Sequence, residues 1–273
     1  MKILIAADME GITGVTNWNQ VSQGHPEYDR FRKIMTDDVN AVIRGVYEAG
    51  AEDIVVTDGH GSGSNILIET LDPRAKLNSG NASPYAMVQG IDSGDFEGVI
   101  FVGYHARSGS ANGILAHTWS SKKVANVWLN ETLVGEYGLN AALCGFFKAP
   151  ILMISGDQTA CAQAVELIGS LETAIVKHAT SFSSAECLPP KISQPMIQDA
   201  ASRAVERLID GSSPKPYKCS EPVKLTVEFR LVEMADSACH MPGAIRENGT
   251  ILSFSCTDMS IAYRTFRAAV GLA

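Results

Sequence analysis

Apolar residues along this chain fall into two rhythms. Ile3–Ala7, Asp53–Thr57, Gly98–Val102, Ile151–Ser155 and Thr173–Lys177 are short, mostly apolar runs. They predict short strands, and the near-continuous apolar ones suit a sheet covered on both faces. Between them, apolar positions recur at three- and four-residue steps. Phe31, Ile34, Met35, Val39, Val42, Ile43, Val46 and Tyr47 predict a long helix, with Gly50 placed to end it. Gly135–Glu136 opens a second helix with Tyr137, Leu139, Leu143 and Phe147. Asp157 is the expected N-cap of a third, which Gly169 stops. Val124–Leu129 reads as a further strand, with Asn130–Glu131 as its turn. The segment from Asn65 to Gly94 is broken by Pro73 and Pro84 and yields at most a helical turn at Tyr85–Val88. The alternation predicts an α/β fold: a largely parallel central sheet flanked by helices.

Beyond about residue 190 the pattern changes. Pro195 is expected at the first position of a helix carrying Ile197, Ala201, Val205, Leu208 and Ile209. Gly211–Pro216 reads as a linker-like turn. Val223–Phe229 alternates as a half-buried strand, with Ile251–Ser255 as its antiparallel neighbour. A closing helix holds Met259, Ala262, Tyr263, Phe266, Ala269 and Val270. The expected division is an α/β catalytic domain at 1–190 and a C-terminal α+β region at 191–273 packed on the same body, or one continuous domain. No internal repeat is present.

Composition narrows the partners. The 273 residues are 45% hydrophobic and 19% charged, with a net charge of −8 and no long basic run. That argues for a globular chain and against nucleic acid or an anionic membrane as the main partner. No apolar stretch approaches the roughly 20 residues that span a bilayer. The strand beginning directly after Met1-Lys2 leaves no room for a signal peptide, so a cytoplasmic location is expected. The six cysteines (144, 161, 187, 219, 239 and 256) are scattered without a Cys-x-x-Cys pair. They are expected to be reduced and mostly buried.

Candidate chemistry gathers at strand ends. Asp8 and Glu10 follow the apolar run Ile3–Ala7 and lie two residues apart, on one side of a strand that continues that far. Buried together, two carboxylates require a cation or raised pKa values; the other reading is a solvated loop that caps a helix. The second strand delivers Asp58 and His60 to the same edge, and the third delivers His105. In open α/β sheets this carboxyl edge is where ligands bind. Carboxylates with imidazoles suit Zn²⁺, with Mn²⁺ or Co²⁺ as substitutes. Gly61-Ser-Gly63 lacks the third glycine of a dinucleotide fingerprint, since Ile66 stands there, which argues against a nicotinamide site.

The ordered motifs Asp8-Met-Glu-Gly-Ile-Thr-Gly, Asp58-Gly-His60, Gly103-Tyr-His105-Ala-Arg, Ala116-His117-Thr, Val134-Gly-Glu136-Tyr-Gly-Leu-Asn140 and Met241-Pro-Gly243 resemble the D-aminopeptidases of peptidase family M55 over nearly the whole chain. The resemblance implies a two-zinc site and hydrolysis of an N-terminal residue from a short peptide or amide. Asp8 would bridge the metals, Glu10 and His60 would complete one, and His105 and Glu136 the other. His117 corresponds to the catalytic histidine, as acid/base or as nucleophile. The resemblance also implies a ring-like homodecamer. Asp58 is a candidate partner for a ligand imidazole, or simply a turn residue. Arg107 would meet a substrate carboxylate or lie at the surface, and Asn140 would face the site or bond helix to sheet. The alternatives are a relative cleaving L-amino-acid amides or another small amide, and, more remotely, a non-catalytic metal- or peptide-binding protein.

Overall fold

The computed structural model describes residues 1–81 and 83–273. In chain order, β1 (Lys2–Ala7) leads through a long loop to α1 (Tyr28–Glu48), then β2 (Asp53–Asp58), β3 (Ala75–Asn78) and β4 (Gly98–Tyr104). The hairpin of β5 (Val124–Leu129) and β6 (Thr132–Val134) precedes α2 (Glu136–Phe146). Next come β7 (Ile151–Asp157), α3 (Gln158–Ile168), β8 (Glu172–Ala179), β9 (Ala185–Cys187) and α4 (Pro190–Ile209). The chain closes with β10 (Val223–Phe229), α5 (Val232–Ala238), β11 (Ile245–Arg246), β12 (Ile251–Cys256) and α6 (Met259–Leu272).

Two sheets result. The first runs β3-β2-β1-β4-β7-β8-β9, parallel throughout except for β9. The second runs β11-β12-β10-β5-β6 and is antiparallel. The period-2 alternation of β1 divides its side chains between two cores. Ile3, Ile5 and Ala7 pack with Val39 and Val42 of α1 and Ile197 and Ala201 of α4. Leu4 and Ala6 join Leu139 and Leu143 of α2, Val127 and Leu225 of the second sheet, and Phe266 of α6. β1 is thus buried on both faces, flanked by β2 and β4, and its carboxyl end opens at the middle of the sheet edge.

The predicted α/β class holds, as do α1, the Asp157 cap of α3 and the pairing of β10 with β12. Three expectations change. Val124–Leu129 leaves the parallel layer and pairs antiparallel with Phe229–Leu225, because only Val124, Val127 and Leu129 are buried along it. α4 begins at Pro190 and holds Pro195 inside it, and it packs on the first sheet beside α1. Sheet membership therefore does not divide at residue 190: β5 and β6 belong with the later strands, and α4 with the earlier ones. Within the segment from Asn65 to Gly94, β3 forms an edge strand that no sequence pattern announced. All six cysteines are free; Cys144, Cys161 and Cys256 are buried and the other three half-buried. No helix is long and apolar enough to cross a membrane, among the described residues.

Candidate metal centre

The strand ends that meet at this edge are locked by backbone. Asp8 N–H donates to the Val102 carbonyl (2.8 Å) and Gly11 N–H to that of Gly103 (2.7 Å). A Cβ on Gly11 would collide with the Tyr104 carbonyl, and Gly103 sits at φ +71° against the backbone of Asp8. Only glycine allows this close approach of two strand ends.

Onto this frame come three buried carboxylates and three imidazoles. Asp8 and Glu10 are each 2% exposed, His105 2%, Glu136 6% and His117 7%. His60, on the loop after β2, lies with Nδ1 3.2 Å from Asp8 Oδ1 and 3.1 Å from Glu10 Oε2. His105 Nε2 is 3.4 Å from Asp8 Oδ2 and 3.0 Å from Glu136 Oε1. His117 Nε2 lies 3.6 Å from Glu136 Oε1 and 4.0 Å from Glu10 Oε1. Asp8 therefore turns one oxygen to each of two histidines. Asp8, Glu10 and His60 bring ligand atoms within 4.8 Å of one another, and so do His105, His117 and Glu136.

Backbone carbonyls determine which ring nitrogen carries a proton. His60 Nε2 meets the Val21 carbonyl at 2.8 Å, His105 Nδ1 the Ala106 carbonyl at 3.0 Å and His117 Nδ1 the Leu115 carbonyl at 2.8 Å. A carbonyl only accepts, so each of these nitrogens donates. In the neutral imidazoles the opposite nitrogen is then a lone pair aimed at carboxylate oxygens. Such an arrangement is repulsive unless a proton or a cation lies between. Asp8 Oδ2, Glu10 Oε2 and His105 Nε2 have no hydrogen-bond partner among the described residues, though all three are buried. An imidazole tied by one N–H to a carbonyl, with its other nitrogen aimed at carboxylates, is the outer-shell pattern of a metal ligand. The donor set fits a divalent cation.

Without a cation, protons take its place. Burial disfavours charge on His105, but the carboxylates of Glu136, Asp8 and Glu10 outweigh it and hold the ring at about 10. His60 is likewise held well above its ordinary value against burial, by Glu10 and Asp8. Burial and the neighbouring Glu10 raise Asp8 to about 7. Glu10 lies well below the usual range: burial opposes this, and His60 prevails. His117 alone among the imidazoles is lowered, by burial and by the adjacent His105. The His105 and His117 rings stack with centroids 4.0 Å apart. His117 also meets the edge of Trp18 at 5.4 Å, and the loop carrying it holds Leu115 at φ +51° and Trp119 at φ +63°. Left-handed backbone at two large residues is costly and clusters at functional sites. Glu136, opening α2, accepts the Trp119 N–H at 2.6 Å, which ties that loop to the site.

Three other candidates lie outside this cluster. Asp58 makes no hydrogen bond to an imidazole among the described residues; its carboxylate accepts the N–H of Asn65 (2.6 Å) and of Ile66 (2.8 Å) and the Asn65 amide (2.7 Å), and so braces the loop of His60. Asn140 bonds helix to sheet, donating to the Tyr104 hydroxyl (2.9 Å) and accepting from Tyr263 (2.8 Å). Arg107 does not line the cavity over the site; its backbone N–H donates to Gln163 at 3.0 Å.

Sequence reasoning missed Lys177. Fully buried, its ammonium donates to the carbonyls of Glu10 (2.6 Å), Ile12 (2.9 Å) and Val15 (2.8 Å). Three acceptors use all three N–H groups of the protonated amine. Burial lowers it to about 8, against the opposing charge of Asp157. Lys177 lies near the carboxyl end of β8, so the strand-end rule that selected Asp8 applied to it too.

The M55 peptidase family, described as D-aminopeptidase, matches residues 1–268. The D-aminopeptidase of Bacillus subtilis (strain 168) is 35% identical over 274 residues, covering 100% of this chain and 98% of that protein. The solved structure of the Zn-dependent D-aminopeptidase DppA from Bacillus subtilis, described as a self-compartmentalizing protease, superposes with a TM-score of 0.95 at 34% identity. That match covers 100% of this chain and 97% of the other.

Proposed function

This chain belongs to the M55 family of D-aminopeptidases, and on that premise we propose that it uses a two-zinc site to release the N-terminal residue, of D configuration, from short peptides or amides. It is a hydrolase of peptide bonds. The observation that carries the metal reading is the set of imidazole nitrogens turned toward buried carboxylate oxygens. Asp8 would be shared by both metals; Glu10 and His60 would complete one site, His105 and Glu136 the other. Bound there, zinc supplies Lewis acidity, activating a water and polarising the scissile carbonyl.

The chain's own residues supply the rest. The neutral form that burial favours for His117 leaves Nε2 free to take up a proton beside Glu136 and to return it to the leaving amine. The hydrogen bond from Nδ1 to Leu115 fixes that tautomer. Nucleophilic attack by the same nitrogen is the second reading of His117. Its closeness to His105 and Glu136 also makes it a ligand candidate, and a zinc count on a His117 variant separates these roles. Trp18 and Trp119 wall the cavity of about 490 Å³ over the site, within the range that encloses small ligands. By analogy with the self-compartmentalizing relative, the subunits would form a closed homo-oligomer, a homodecamer, which light scattering on the purified protein tests.

The deciding experiment is a panel of D- and L-aminoacyl amides and dipeptides given to zinc-loaded and chelator-treated enzyme. Chelator-sensitive cleavage of D-substrates is expected. Cleavage of L-substrates alone would keep the metal chemistry and discard the stereochemistry. No cleavage of any member would favour a binding protein.

A further inference from the structure

Charges of both signs line the cavity. Its carboxylates, Asp8, Glu10 and Glu136, stand with the imidazoles at the candidate metal centre. Its only lysine and arginine among the described residues are Lys122 and Arg267. They come from separate parts of the chain: Lys122 from the loop between His117 and β5, Arg267 from α6. Neither forms a salt bridge among the described residues, although the chain carries an excess of acids and a net charge of −8. Arg267 Nη1 donates to the Pro84 carbonyl at 2.6 Å, which anchors one arm of the guanidinium on the wall. Ser120 and Ser121 beside Lys122 add hydroxyls to the same lining.

We propose that Lys122 and Arg267 receive the C-terminal carboxylate of the substrate, so that the enzyme selects short peptides with a free acid end over blocked or long ones. The inference rests on the aminopeptidase reading and adds the far end of the substrate to it. The amine and scissile carbonyl belong at the metal end. The carboxylate of a di- or tripeptide comes within one or two residues of them, each spanning at most about 3.6 Å. A cavity of about 490 Å³ suits a ligand of that length, and a planar guanidinium and an ammonium lining the same cavity match a carboxylate in charge. A peptide continuing past that point would bring neutral amides to two cations.

The test compares kcat/KM for a D-alanyl dipeptide and its C-terminal amide on the zinc-loaded enzyme. The intact enzyme is expected to favour the acid by about tenfold or more. In Lys122→Gln and Arg267→Gln that ratio falls toward one, through a higher KM for the acid, and Arg267→Lys restores part of it. Lys122 is exposed, so its substitution leaves the fold intact. Equal use of acid and amide by the unaltered enzyme, or a preference that survives both glutamine variants together, overturns the carboxylate pocket while leaving the aminopeptidase standing. Failure to cleave either substrate overturns both.

Discussion

Replacing Lys177 with methionine removes a buried cation and leaves the carbonyls of Glu10, Ile12 and Val15 without their donor. An unsatisfied buried acceptor costs about 1–3 kcal/mol, so three cost roughly 3–9 kcal/mol if none finds a new partner. Against this, the ammonium no longer has to be desolvated, which returns several kcal/mol. The balance is a loss of about 2–5 kcal/mol, at the severe end for single substitutions. The effect should not be confined to stability. Glu10 is held through its own carbonyl, so slackening the 10–15 loop frees a carboxylate that the proposed metal site needs. Loss of an outer support of this kind lowers metal affinity about 10–100-fold. Urea unfolding of the zinc-free protein reads the first effect, and competition with a chromophoric chelator reads the second. Unchanged values for both would refute the reasoning. A stability loss with zinc affinity intact would confine Lys177 to packing.

Three further outcomes are expected. His117→Ala should keep both zinc ions while turnover falls by about 100-fold or more; loss of zinc would make His117 a ligand, and full activity would remove it from the mechanism. In the metal-free chain His60 and His105 are held above their ordinary values, His105 at about 10, so both are protonated at neutral pH. Metal must displace those protons and the half-occupied proton of Asp8, which lies at about 7, so zinc affinity should rise with pH below about 10, with release of roughly two to three protons per subunit near pH 7. Calorimetry in buffers of different ionisation enthalpy counts them, and a pH-independent affinity would contradict the assignment. Gly11→Ala sets a methyl against the Tyr104 carbonyl, backbone on a rigid strand end. It should cost at least about 3 kcal/mol in thermal or chemical unfolding, and an unshifted transition would show that the strand ends are looser than described.

The layers and most of the site were legible because the patterns involved are local. The apolar run Ile3–Ala7 has to be a buried strand, and residues just beyond such a strand in a parallel sheet lie at its ligand-binding edge. That carried Asp8, Glu10, His60 and His105 together without any tertiary information. Glu136 and His117 were reached only through resemblance to a family, since a glutamate opening a helix is an ordinary N-terminal preference, and a lone histidine in a loop carries no pattern. Asp58 shows the limit of the rule. It stands at a strand end as required, yet its carboxylate faces back into its own loop, a direction that spacing does not encode. Strand membership failed for the same reason at Val124–Leu129: which sheet a strand joins depends on a partner, β10, about a hundred residues away. Lys177 was hidden differently. A lysine is expected to be exposed, and only the convergence of three carbonyls from a distant loop makes its burial tolerable.

The proposal stands or falls on two metals sharing Asp8. Zinc counted per subunit by elemental analysis of purified protein tests it most directly, on the unaltered chain and on Asp8→Ala and Glu10→Ala. Two zinc ions are expected in the first, none retained in Asp8→Ala, and one in Glu10→Ala. A single zinc in the unaltered chain, or two persisting in Asp8→Ala, would contradict it.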